Sequence, residues 1–276
     1  MNATNSTHDG ATTAAPLRAA ASRPKISPGL LRLFGKYSDF YLRGHFHSVR
    51  MLANAAPSSD NDFPVVIYLN HSSWWDPMIC LLLARQLFKQ RKTYGPIAAE
   101  ALQRYRFFER LGFFGVRKGA RGAADFVRQA EAILSSSDSA LWLTPQGKFA
   151  DDRARPLQFQ SGLGHLARRS GPLSFLPLAV EYTFWEERLP EVLLSFGEPL
   201  VFDGTPRPSL LETTHLLESA LASVQEQLCA ASQRRRPDEW RVVLHGKAGT
   251  SCVYDFWRRI RARRRGEPFH AAHSDL

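Results

Sequence analysis

A chain of 276 residues, 44% hydrophobic and 22% charged, is long enough for a sizeable core, and this composition excludes a disordered or collagen-like protein. Its three cysteines, Cys80, Cys229 and Cys252, are odd in number and widely spaced, which argues against a disulfide framework or a zinc site and fits a reducing compartment. The formal charge of +10 calls for an anionic partner, and no apolar run reaches the roughly eighteen residues that a simple membrane span needs.

Residues 1–27 are rich in Ala, Ser and Thr, lack the apolar stretch of a secretory signal, and are expected to form a disordered tail. Leu30, Leu33, Phe34, Tyr37, Tyr41 and Leu42 recur at helical spacing, so an amphipathic helix is expected within 28–52. Residues 56–64 have turn composition. Short apolar runs follow at 65–69, 94–98, 140–144, 175–182 and 192–196, continuous in the manner of parallel strands buried on both faces. Helical patterns at 77–88, 100–110, 121–134 and 161–169 separate most of them, and this alternation predicts an α/β domain with a mostly parallel sheet flanked by helices. Ser209 and Glu212 have the spacing of a capping box before a further helix with Leu210, Leu217, Leu221, Val224 and Leu228. A single catalytic domain is expected over 28–232, followed by a basic C-terminal extension over 233–276.

One stretch interrupts this pattern with chemistry. "LNHSSWWDP" (69–77) leaves the end of an expected strand and enters an expected helix, placing His71 five residues before Asp76. Ligand sites of open α/β sheets lie at such strand ends. Asp76 is near enough to accept a hydrogen bond from one imidazole nitrogen, leaving the other basic and free to activate a hydroxyl. Asp76-Pro77 also has an ordinary explanation as helix N-cap and first helical residue, and the two roles are compatible. His270 and Asp275 repeat the spacing, but in a polar stretch with no strand before it and no helix after it, so that pair is read as coincidence.

The motif "NHSSWWDP" resembles the N-H-x-x-x-x-D block of the glycerolipid acyltransferases, the lysophosphatidate acyltransferase-like family. Three more blocks follow in the family's order: "LGFFGVRKG" (111–119), "LTPQGKF" (143–149) and "FLPLAVEY" (175–182). The resemblance implies an α/β enzyme of phospholipid biosynthesis that moves a fatty acyl group from acyl-CoA or an acyl carrier protein to a hydroxyl of a lysophospholipid such as 1-acylglycerol-3-phosphate. By that resemblance His71 is the general base, Asp76 its orienting partner and Arg117 the holder of an anionic head group, while Gly147 lets backbone approach the acceptor. Thioester transfer needs no metal or resident cofactor.

The third block departs from the family's usual Pro-Glu-Gly-Thr-Arg. Gln146 replaces the glutamate, Lys148 the threonine and Phe149 the arginine. Gln146 keeps an acceptor carbonyl and loses the charge. Lys148, Arg153 and Arg155 are candidates to supply the missing cation, against the plainer reading of 151–155 as a solvated loop. Another lipid hydroxyl, on a glycolipid or an amino-acid lipid, therefore stays open as acceptor, as does a non-catalytic basic lipid-binding protein. Trp74, Trp75, Phe107, Phe108, Phe113 and Phe114 are candidates for an acyl channel or a bilayer interface, with core packing the commoner fate. Adjacent tryptophans are expected to point to opposite sides, so at least one should lie near the surface. Val253, Phe256, Trp257 and Ile260 share a helical face among arginines, which suits attachment to an anionic membrane surface. A cytoplasmic protein held peripherally at the membrane is expected, with no nucleic-acid partner.

Overall fold

The computed structural model describes residues 22–57, 63–169, 171–203 and 208–247. The expected amphipathic helix at 253–260 and the His270/Asp275 pair fall outside these residues.

In chain order the elements are α1 (Pro28–His45), β1 (Ser48–Leu52), β2 (Val65–Leu69), α2 (Asp76–Leu87), β3 (Lys92–Ala98), α3 (Ala99–Arg104), a 3-10 turn (Arg106–Leu111), β4 (Phe113–Val116), α4 (Gly119–Leu134), β5 (Ser139–Leu143), α5 (Gly162–Arg169), β6 (Leu173–Thr183), β7 (Glu191–Phe196), β8 (Leu200–Phe202), α6 (Leu210–Arg234), a second 3-10 turn (Pro237–Glu239) and β9 (Trp240–His245). The strands form one sheet in the order β4-β3-β5-β2-β6-β7-β1-β9, with β8 paired to β6. Its centre, β4 through β6, is parallel, and β1 also runs parallel to β7. Antiparallel pairing enters at β6–β7, β6–β8 and β1–β9. This is the α/β architecture that the alternating runs predict.

The sheet is buried on both faces because its strands carry apolar side chains in both directions. Val65, Ile67 and Leu69 of β2 pack with Leu42, Ile79, Leu82 and Leu83 from α1 and α2. Val66 and Tyr68 point the other way, against Ile133, Leu163, Leu166 and Leu217 from α4, α5 and α6. Each such fully buried side chain contributes roughly 1.5–3 kcal/mol. Helix α1 is capped by Ser27, whose hydroxyl accepts from the Leu30 amide, and Pro28 occupies its first turn. Arg85 of α2 grips Asp39 of α1 through two hydrogen bonds of 2.9 Å. The guanidinium crosses so close to Gly35 that an added Cβ would stand 2.6 Å from it, so a larger residue there would displace the Arg85 side chain.

The expected boundaries shift in four places. The helix expected within 28–52 stops at His45, and Ser48–Leu52 becomes a strand between β7 and β9. Its polar residues are satisfied from a distance: the buried Glu191 carboxylate accepts from His47, Ser48 and Arg50. The fold also continues past 232, because Trp240–His245 pairs with β1 and buries Trp240 and Leu244. At the other end, residues 22–27 are docked rather than loose: the Ser27 amide donates to Arg110 O and the Arg23 guanidinium to Ala132 O. The helix expected over 100–110 is likewise split into α3 and the first 3-10 turn. Among the described residues no helix is long and apolar enough to cross a membrane.

Candidate active site

Strand β2 ends at Leu69, and Asn70 then extends its pairing with β6 through a side chain: Asn70 Oδ1 accepts from Val180 N (2.9 Å) and Nδ2 donates to Val180 O (2.8 Å). The backbone is thereby held straight into His71. Gln146, 3% exposed, accepts from the His71 amide (2.9 Å), and His71 O accepts from Ala150 N (2.8 Å). His71 is thus pinned on both sides of its Cα by the segment that follows β5. That segment turns at Gly147, whose amide donates to Thr144 O (3.0 Å) and whose φ of 67° lies in the left-handed region that glycine tolerates best. Lys148 is exposed just beyond it.

The imidazole and the carboxylate meet as the spacing predicts. His71 Nδ1 donates to Asp76 Oδ2 at 2.7 Å, and the Ser73 amide donates to the same oxygen at 3.2 Å. Asp76 Oδ1 accepts from the Tyr182 hydroxyl at 2.6 Å. The carboxylate is 2% exposed and the imidazole 19%. This arrangement fixes the tautomer, because with Nδ1–H committed to Asp76 the lone pair resides on Nε2. Asp76 is the first residue of α2 rather than its cap, and the helix start has no side-chain cap bond. The capping role therefore gives way: the carboxylate turns back toward His71, Ser73 and Tyr182.

Three groups at this site carry roles that the sequence did not assign. Tyr182 lies on β6, and burial, reinforced by the Asp76 charge, pushes its phenol well above the ordinary value, so it stays an O–H donor. Asp152 accepts from Asn70 Nδ2 (2.6 Å), and burial raises its carboxyl to about 6. Phe149 stands over the His71 ring with centroids 4.3 Å apart. A cleft of about 1040 Å³ opens here, with Ser73, Trp75, Phe149, Asp152 and Tyr182 on its walls.

The sequence candidates do not all converge. His71, Asp76 and Gln146 are in direct contact with one another or through the His71 backbone, and Gly147 and Lys148 follow on the same turn. Arg117 lies after β4, separated from β2 on the sheet by β3 and β5, and its guanidinium is paired with Asp125. Arg153 is paired with Asp151 (2.8 Å), and Arg155 donates to the carbonyls of Asp152 and Ala154. The tryptophans do not diverge: Trp74 and Trp75 sit on a turn and stack, with centroids 4.3 Å apart. Trp74 is exposed as expected, and Phe114 is core.

An imidazole with a buried carboxylate on one nitrogen and a cleft beside it can take a proton from a hydroxyl and return it to a leaving group. No curated protein sequence matches the chain. Among solved structures it is similar to the 1-acyl-sn-glycerophosphate (LPA) acyltransferase PlsC of Thermotoga maritima, with a TM-score of 0.50 and 16% identity over 73% of this chain and 79% of that one, which is a likeness of fold. Residues 50–181 match the profile of the family described as Acyltransferase, and the matched segment contains His71, Asp76 and Gln146. Dyad, fold and family segment coincide: residues 50–181 carry an acyltransferase-family segment, as expected of an enzyme of that type.

Proposed function

We propose that this lipid acyltransferase moves a fatty acyl group from an acyl thioester, acyl-CoA or an acyl carrier protein, to the hydroxyl of a lysophospholipid. The observation that carries the reading is the 2.7 Å bond from His71 Nδ1 to the buried Asp76, which leaves Nε2 as the base. Nε2 removes the acceptor hydroxyl's proton as the oxygen attacks the thioester carbonyl. The C–S bond of the tetrahedral adduct then breaks, and the leaving thiolate takes the proton back from the imidazolium. Asp76 stabilises that imidazolium between the two steps, held in place by Tyr182 and Ser73. The balanced products are an ester and a free thiol. The thioester is already activated, so the proposed reaction uses no metal or resident cofactor.

In this reading Gln146 and Gly147 shape the acceptor side of the cleft, and Lys148 and Arg117 meet an anionic head group, with Arg117 exchanging Asp125 for the phosphate. 1-Acylglycerol-3-phosphate is the acceptor that this charge pattern suits, and the enzyme acts from the membrane surface as a peripheral protein. The neutral Gln146 and the apolar Phe149 beside His71 favour one second reading, a lipid acceptor with a different head group. Purified protein given acyl-CoA with lysophosphatidate, a lysoglycolipid or a lyso-amino-acid lipid in turn tests both. Thiol release with a product heavier by one acyl group identifies the acceptor, and no thiol release with any acceptor or carrier rejects the proposed function.

A further inference from the structure

The cleft beside the dyad has a wall that the transfer chemistry leaves unused. It runs from the loop after β5 across the end of β6 to α6 and carries Asp152, Glu181, Gln225 and Glu226. Asp152 and Glu181 are half-buried carboxylates with neutral donors: Asn70 Nδ2 donates to Asp152 (2.6 Å) and the Ser232 hydroxyl to Glu181 (2.7 Å). Burial raises both groups above the ordinary carboxylate value. Glu226 is exposed at the rim. The two arginines on the wall are occupied, because Arg153 pairs with Asp151 (2.8 Å) and Arg155 donates to the carbonyls of Asp152 and Ala154. Three carboxylates therefore line the cleft without an ion-pair partner among the described residues.

Gln225 adds an acceptor that lacks a donor. Its side chain is 6% exposed, and its amide nitrogen donates to Asp152 O (3.4 Å). Its Oε1 is buried and accepts from no described residue. Buried acceptors are almost always satisfied, so this one calls for a donor that the described chain does not supply. The rest of the wall is aromatic: Trp75 meets Phe46 edge-on (4.9 Å), and Phe46 lies beside Tyr182 (5.9 Å). Aromatic faces attract cations, and carboxylates bind them through charge-assisted hydrogen bonds. A bare phosphate would meet three like charges here. A sugar hydroxyl would satisfy Gln225 and leave the carboxylates uncompensated, whereas a quaternary ammonium would bring charge but no N–H. A primary ammonium supplies both.

We propose that this wall is a subsite for a primary ammonium on the head group of the lipid acceptor, bound by Asp152, Glu181 and Gln225 Oε1. The proposal rests on the acyltransferase reading and narrows its acceptor. The subsite adjoins the dyad, since Asn70, bonded to Asp152, precedes His71, and Tyr182 in the same cleft bonds Asp76. Lysophosphatidylethanolamine and a lyso-amino-acid lipid are two sources of such a group. The test gives the full-length protein short-chain, water-soluble forms of both, each beside its N-acetyl derivative, which loses the cation and keeps the rest. With acyl-CoA as donor, kcat/KM should favour the free amine about tenfold or more in at least one pair, which names the source, and calorimetric titration should rank the affinities alike. Asp152→Asn keeps an acceptor for Asn70 and removes the charge. It should erase that preference by raising the KM of the amine acceptor while the KM of the N-acetyl acceptor stays where it was, with circular dichroism as the check on folding. Equal constants within both pairs, a wild type that prefers lysophosphatidate or a lysoglycolipid, or an Asp152→Asn loss equal for amine and N-acetyl acceptors overturns the proposal. If calorimetry shows the amine preference but the wild type releases thiol with no acceptor, the subsite stands and the acyltransferase reading fails.

Discussion

The Tyr182 hydroxyl is the described donor to Asp76 Oδ1, whereas His71 and Ser73 both bond Oδ2. Tyr182→Phe removes that donor and little else, because the ring and its contact with Phe46 remain. The deleted bond is 2.6 Å long, charge-assisted, and directed at a carboxylate 2% exposed. Hydrogen bonds to charged groups contribute about 1.5–3 kcal/mol, and an orphaned buried oxygen bears its full desolvation cost. A loss of about 2 kcal/mol corresponds to a fall in Tm of about 4–8 °C for a domain of this size. The same loss of hold on Asp76 reaches the imidazole through one hydrogen bond, so kcat should fall on the order of tenfold with the acceptor KM little changed. Differential scanning calorimetry and initial rates of thiol release read the two effects. A variant that melts within about 1 °C of wild type and keeps its kcat would refute the claim that Tyr182 holds the carboxylate.

Asp76→Asn preserves shape and loses charge, so it should lower kcat by about 10²-fold or more while the fold persists, read by thiol release and circular dichroism. Asp152 carries a folded value of about 6 against an ordinary 3.8. The native state thus binds that proton more tightly, and wild-type stability should decline as pH rises from about 4 to about 6. Asp152→Asn removes the ionised penalty, so its Tm should exceed the wild-type value at pH 8 by the equivalent of about 1–3 kcal/mol and match it near pH 4. Arg117→Ala should raise the KM of an anionic acceptor more than it lowers kcat, with partial rescue by Arg117→Lys.

The parallel centre of the sheet was legible because β2, β5 and β6 are buried on both faces, and their apolar runs have no other use. The His71–Asp76 contact was legible because the two residues lie five apart across one strand-to-helix corner. The long α6 announced itself through the Ser209–Glu212 capping box, which forms in full. What stayed hidden depends on partners far along the chain. Ser48–Leu52 carries Arg50 at its centre, and Glu191, 141 residues away, makes that arginine compatible with a strand. Strand β9 follows the run Arg234–Arg236, whose charge masks the apolar residues after it. Tyr182 is 106 residues from Asp76 and Asp152 is 82 from Asn70, so neither local composition nor periodicity could signal the contacts. The stacked tryptophans were misjudged because residues 74 and 75 form a turn, where the alternation of an extended chain does not apply.

The central claim is that His71 Nε2 is the base of an acyl transfer. Its most direct test is the rate of ester formation by full-length His71→Ala with acyl-CoA and the lysolipid that the wild type accepts, measured by mass spectrometry of the product. The account predicts a fall of about 10²–10⁴-fold with circular dichroism unchanged; a folded variant that keeps more than about a tenth of the wild-type rate would contradict it.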